Sequence, residues 1–199
     1  MKLLRSIMVL AAFAFIASCA HPPQAEIDAA QASMDAAVKN ADVVTYAPDS
    51  LRAAQEKTDE LDAEMTTQAR RSALSRNYDA AKSLALEAGA DARRAIADAA
   101  TAKEQVARDA SALAEEVSAG IPQFESKVWA AKRVPRIRLE LITPMGLIPQ
   151  LARTTIEDAN RDIAAGSFAA AKAKLMAVKD KLSSCQETIL EQTRIARSH

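Results

Sequence analysis

Asn77-Tyr78-Asp79-Ala80-Ala81-Lys82-Ser83-Leu84-Ala85-Leu86-Glu87-Ala88-Gly89-Ala90-Asp91-Ala92-Arg93-Arg94-Ala95-Ile96-Ala97-Asp98-Ala99 is the stretch that decides the fold. Tyr78, Ala81, Ala85, Ala88, Ala92, Ala95 and Ala99 recur at alternating spacings of three and four. That is the period of a helix with one face turned to partner helices. Alanine keeps the face narrow, so a neighbouring helix can approach closely. The stripe continues through Ala102 and Val106, then slips by one residue to Ala110, Leu113 and Val117, a stutter in the heptad. Gly120 and Pro122 predict its end, and Gly89 weakens it from within.

The same period appears on both sides. Ile27, Ala30, Met34, Ala37, Ala41 and Val44 predict one earlier helix, broken at Tyr46-Ala47-Pro48-Asp49-Ser50. Pro48 is placed to open the next, striped by Leu51, Ala54, Thr58, Leu61 and Met65 and more weakly by Gln68 and Ser72. Arg76-Asn77 reads as the turn into the long helix. Beyond Pro149, Ala152, Ile156, Ala159 and Ile163 predict a helix closed by Gly166. Phe168, Ala171, Leu175, Val178, Leu182, Cys185 and Ile189 predict the last. Ser167-Phe168-Ala169-Ala170-Ala171-Lys172 echoes Asn77–Lys82, in a manner weakly similar to the tetratricopeptide repeat. The expected fold is all-α: an antiparallel, coiled-coil-like bundle of about five helices in one domain over residues 24–199.

Residues 121–148 read differently. They hold Pro122, Pro135, Pro144 and the sole tryptophan, and Arg136-Ile137-Arg138-Leu139-Glu140-Leu141 alternates with a strand-like period of two. An irregular crossover with a short extended piece is expected here. Phe124, Trp129, Arg136 and Arg138 are its candidate contact residues for anionic lipid, glycan or a partner protein. The plainer alternative is a packed crossover in which Ile137, Leu139 and Leu141 face the bundle and the charges stay in water.

The N-terminus is a targeting segment. Lys2 and Arg5 precede the apolar run Ser6–Ile16, which has signal-peptide length and is too short to span a bilayer. Ile16-Ala17-Ser18-Cys19 resembles the bacterial lipobox. The resemblance implies a signal peptide over 1–18, acylation of Cys19 (the palmitate-type modification), and a linker over 19–23. Ala20 stands where an aspartate would resemble an inner-membrane retention signal, so the implied destination is the periplasmic leaflet of the outer membrane. Several acyl chains anchor stably where one does so only marginally. A linker of about five residues reaches roughly 17 Å, which would hold the helices near the membrane.

Residues 25–105 resemble the helical bacterial lipoproteins of the domain of unknown function 4398 family. Thr45-Tyr46-Ala47-Pro48-Asp49-Ser50-Leu51, Ala53, Ala54, Asn77-Tyr78-Asp79-Ala80-Ala81, Leu84 and the Ala88–Ala99 series carry the likeness. It covers under half of the chain. Some members carry a peptidoglycan-binding domain, but nothing after residue 106 has that domain's strand–helix alternation.

Parts for catalysis are scarce. The two histidines are His21, beside the expected anchor, and His199, and neither is placed as a general base. No spacing suits a metal ion, a phosphate-cradling loop or a serine elbow, so no cofactor is expected. Asp59 with Asp62, and Glu115 with Glu116, read as solvated helix faces. Tyr46 and Tyr78 suit helix junctions better than a ligand groove, and Cys185 suits a buried stripe better than an intermolecular disulfide. The leader holds two of 26 basic and none of 26 acidic residues, leaving the rest at −2, which gives no case for nucleic acid. The expectation is a non-enzymatic, membrane-anchored envelope protein that binds a protein partner or itself. A carrier of a lipid or small apolar ligand, or a peptidoglycan-associated module, is the alternative.

Overall fold

Where the sequence predicts one helix up to Tyr46, the chain makes two. The computed structural model describes residues 21–198, so Cys19, the leader and His199 lie outside the described residues. Helix α1 (Gln24–Lys39) stops at Asn40, whose extended backbone (φ −84°, ψ 109°) and Oδ1, accepting from the Asp42 amide at 2.9 Å, start α2 (Ala41–Tyr46). The break shifts the phase. Val43 and Ala47 are buried, while Ala41 and Val44 face solvent. An asparagine side chain offers the backbone a local acceptor, which suits a cap better than a helix interior.

Helix α3 (Pro48–Ala69) opens on Pro48 as expected. It ends before Ser72. Gln68, buried, donates to Glu64 Oε1 (2.6 Å) and accepts from the Asn77 amide (3.0 Å). Arg76 donates to the Ala69 carbonyl, one of the acceptors a helix end leaves open, and to that of Arg71 in the loop. Helix α4 (Asp79–Lys132) follows. A single turn, α5 (Leu139–Ile142), and a tighter turn over Thr143–Leu147 lead to α6 (Ile148–Ala164) and α7 (Phe168–Ser198). Gly166 (φ 77°) ends α6, with its amide on the Ile163 carbonyl (3.0 Å) and the Ser167 amide on that of Asp162 (2.8 Å). Those two bonds make a Schellman cap. The fold is all-α, with no strand among the described residues.

The chain divides into two compact units, Met1–Ala102 and Lys103–His199, and α4 contributes to both. The boundary falls at the stutter, where Ala102 and Val106 are only half-buried. In the first unit, Ile27 and Ala30 of α1 and Leu61 of α3 pack with Tyr78, Ala81, Ala85 and Ala88. Ala37, Val43, Ala47, Leu51 and Ala54 pack with Ala92, Ala95 and Ala99. Helix α1 therefore runs parallel to α4, and α3 antiparallel. Each alanine methyl contributes about 0.8 kcal/mol on burial, so this unit depends on many small contacts in register.

The second unit is built from larger side chains. Ala110 and Ala114 of α4 pack with Ala159 of α6 and Ala171 and Leu175 of α7. Val117, Ile121, Phe124, Val128 and Ala131 pack with Ile142, Ala152 and the α7 stripe from Val178 to Ile189. Helix α6 lies antiparallel to its two neighbours.

Gly120 and Pro122 do not end α4, contrary to the sequence expectation. An interior proline costs about 3 kcal/mol through its missing N–H and its clash with the preceding turn. Here Ala114, Val117, Ile121, Phe124, Val128 and Ala131 keep the three–four spacing through it and are all buried. Each large apolar side chain buried contributes about 1.5–3 kcal/mol, so continuing the helix is favoured. The irregular stretch shrinks to residues 133–147. The strand-like reading of Arg136–Leu141 is also overturned. Its polar backbone is satisfied locally, with the Ile137 amide on the Val134 carbonyl and the Leu141 amide on that of Arg138. Leu139 and Leu141 are largely exposed, and Ile142 takes the core position instead.

Candidate functional site

The segment singled out in the sequence forms one end of the second unit, and the last turns of α4 set its geometry. Phe124, Val128 and Ala131 point inward, which puts Trp129 on the outer face, 59 % exposed. Arg133, one helical turn on, stacks its guanidinium over the indole at 3.6 Å from the ring centre. Such a pair orients both side chains and contributes about 0.5–1 kcal/mol when exposed.

The chain leaves α4 through the Arg133 and Val134 amides, bonded to the Ala130 and Ala131 carbonyls. After Pro135, Arg136 adopts φ 64°, a left-handed conformation that costs a side-chain-bearing residue about 1–2 kcal/mol. That reversal lets Ile137 turn back to the core while Arg136 faces solvent. Arg138 Nε donates to Gln192 Oε1 of α7 at 3.0 Å. Met145 and Ile148 pack on the core beneath, and Leu147 and Leu151 project outward. Two further contacts hold the end together: Arg153 with Glu125 (2.7 Å) and Lys127 with Gln186 (3.1 Å).

Of the four candidate contact residues, then, Trp129, Arg136 and Arg138 share the surface of this end. Phe124 does not. It is wholly buried in the core of the second unit and has no area to offer a partner. A residue at i−4 from an inward-facing Val128 must itself face inward once α4 runs on through Pro122. What the sequence reading missed is that Leu139, Leu141, Leu147 and Leu151, in the same stretch as the basic residues, are exposed. From 127 to 153 the charges are Lys127, Lys132, Arg133, Arg136, Arg138 and Arg153 against Glu140 alone. The imbalance was legible in the sequence; the exposure of the leucines required the helical turn.

Two recesses of the second unit are open grooves. One of 540 Å³ runs between α4 and α6, lined by Ser111, Ala114, Ser118, Ile156 and Asn160. Another of 440 Å³ lies between α4 and α7, where Lys172 pairs with Asp109 (2.7 Å) and Lys179 with Glu116 (2.7 Å). The Lys172 hydrogen bond, with a second from Gln105, holds the Asp109 carboxyl below its ordinary range. In the first unit, Lys82 does the same for Glu26 (3.0 Å), and Glu60 raises Lys57. These are structural pairs on solvated faces. The enclosed Asp162 Oδ2 meets Lys174 Nζ at 2.6 Å.

The other singled-out residues fall as follows. Asp59, Asp62, Glu115 and Glu116 are exposed. Tyr78 is buried at the α1–α3–α4 junction, and Tyr46 is half-buried, packed against the cluster that holds Ala92, Ala95 and Ala99. Phe168, its echo, is half-buried. Cys185 is a buried free thiol within the α7 stripe. His21 is exposed. Among the described residues, no three His, Cys, Asp or Glu side chains are grouped to hold a metal ion, and no helix is long and apolar enough to cross a membrane. Compared with family models, with curated proteins and with solved structures, the chain matches none.

Proposed function

We propose that this chain is a non-enzymatic lipoprotein of the bacterial envelope, anchored through acylated Cys19 in the periplasmic leaflet of the outer membrane, with a structural or protein-interaction role. The observation that carries the reading is Ile16-Ala17-Ser18-Cys19 at the end of a charged and then apolar leader. The helical bundle begins at Gln24, leaving only residues 19–23 as linker. The likeness of residues 25–105 to the domain of unknown function 4398 lipoproteins agrees with it. So does the packing: fully buried alanine seams and grooves open to solvent suit a scaffold better than a carrier, which encloses most of its ligand.

The test is metabolic labelling with a clickable fatty acid in cells expressing the chain or its Cys19→Ala variant. Labelled wild type and an unlabelled, unprocessed variant are expected. Equal labelling of the variant would sink the anchor, and full retention on purified sacculi would favour the peptidoglycan alternative. Fractionation of the membranes then tests the outer-membrane assignment.

A further inference from the structure

We infer that the Trp129–Leu151 end of the second unit is a second membrane contact, docking on the anionic phosphate surface of a bilayer. The inference rests on the anchored reading above for its access to a membrane, and on separate observations for its chemistry. Trp129, Leu139, Leu147 and Leu151 are exposed on four successive elements, the end of α4, the α5 turn, the Thr143–Leu147 turn and the start of α6. None of the four lines the α4–α6 groove or the α4–α7 groove. Apolar side chains standing out from a surface with cations among them suit insertion between lipid headgroups, which yield to them.

The cations stand among these side chains. Arg133 lies against the Trp129 ring, Lys132 and Arg136 are exposed beside it, and Lys132 Nζ lies 3.8 Å from where a Cβ on Gly146 would sit, at the leucine-bearing turn. Guanidinium groups present forked donors to phosphate oxygens, and an amphipathic indole prefers the headgroup level. Basic residues gathered among Trp and Leu are the composition of interfacial contacts. Each Lys or Arg near an anionic surface adds to the attraction.

The sole tryptophan makes the test direct. The chain from residue 19 with Cys19→Ser, which cannot be acylated, is titrated with phosphatidylcholine vesicles with and without phosphatidylglycerol. The Trp129 emission and co-sedimentation are followed. A blue shift and sedimentation are expected only with phosphatidylglycerol, both reduced by salt. The Lys132→Glu/Arg133→Glu pair should weaken the partition at least about tenfold. Leu147→Ser, at a side chain 69 % exposed, should weaken it about threefold with an unchanged melt. An unshifted emission with anionic vesicles, or undiminished binding by the charge-reversed pair, overturns the inference. A shift that follows protein concentration without vesicles also overturns it, in favour of self-association. Acylation at Cys19 is read separately by fatty-acid labelling, so failure of either idea leaves the other's result interpretable.

Discussion

The Cβ that Gly89 lacks would stand 3.3 Å from the Ala30 Cα, so α1 and α4 approach closely at this point because α4 carries a glycine there. Gly89 therefore does more than weaken the helix it interrupts. An added methyl would meet backbone, which cannot swing aside as the end of a side chain can.

Gly120, in the same helix, has nothing within 4 Å of its missing Cβ. Gly120→Ala should therefore gain about 0.5–1 kcal/mol from helix propensity. Gly89→Ala should lose that gain to overpacking against Ala30, which costs about 1–3 kcal/mol. Urea melts of the two variants provide the check, and an equal gain in both would show that α1 simply moves away.

Ala92 is fully buried and Ala90, two residues earlier, is exposed. Ala92→Leu should cost about 1–3 kcal/mol, whereas Ala90→Leu should stay within about 0.5 kcal/mol of wild type. Matching melting temperatures would place the seam on another face of α4.

How much of this was legible beforehand follows from one rule. Residues whose role is set by their own helix's period were readable: the Ala81–Ala99 seam, the α7 stripe through Cys185, Pro48 at a helix start, Gly166 at a helix end. Features set by competition between signals were not. Asn40 outweighed an apolar stripe by capping, and the Val117–Ala131 stripe outweighed Gly120 and Pro122 by burial. The alternation from Arg136 to Leu141 was too short to mean a strand without a second strand to pair with. Of the candidate contact surface, the basic residues and Trp129 were legible, but Phe124 was misplaced with them because its face depends on whether α4 passes Pro122.

Cys185 is 8 % exposed and packs with Val178, Leu182 and Ile189. In a Cys19→Ser background, a thiol reagent should label it slowly in buffer and at the rate of a free thiol in denaturant. Rapid native labelling, or a dimer on non-reducing gels, would contradict its place in the core.

The Asp109–Lys172 pair gives a pH signature. The folded carboxyl titrates below its ordinary value of 3.8, so its contribution to stability is complete above that value and is lost as pH falls through the lowered folded one. Asp109→Asn should melt slightly lower than wild type at neutral pH, with the gap closing in acid and narrowing in salt, since both partners are about a third exposed. A gap that widens in acid would mean that the pair opposes folding.

The Gln68 side chain, fixed between Glu64 and the Asn77 amide, has a consequence for a protease. The loop it closes offers Arg70 and Arg71 on the surface, with Leu74 almost wholly exposed just after them. A trypsin-like cut after Arg71 would sever the backbone and leave both cut ends tethered, one through Gln68 on α3 and the other through Asn77. The two fragments would also still share the buried alanine seam. The nick would be visible only after denaturation, and the cleaved molecule would persist as a two-chain protein with its helices in place.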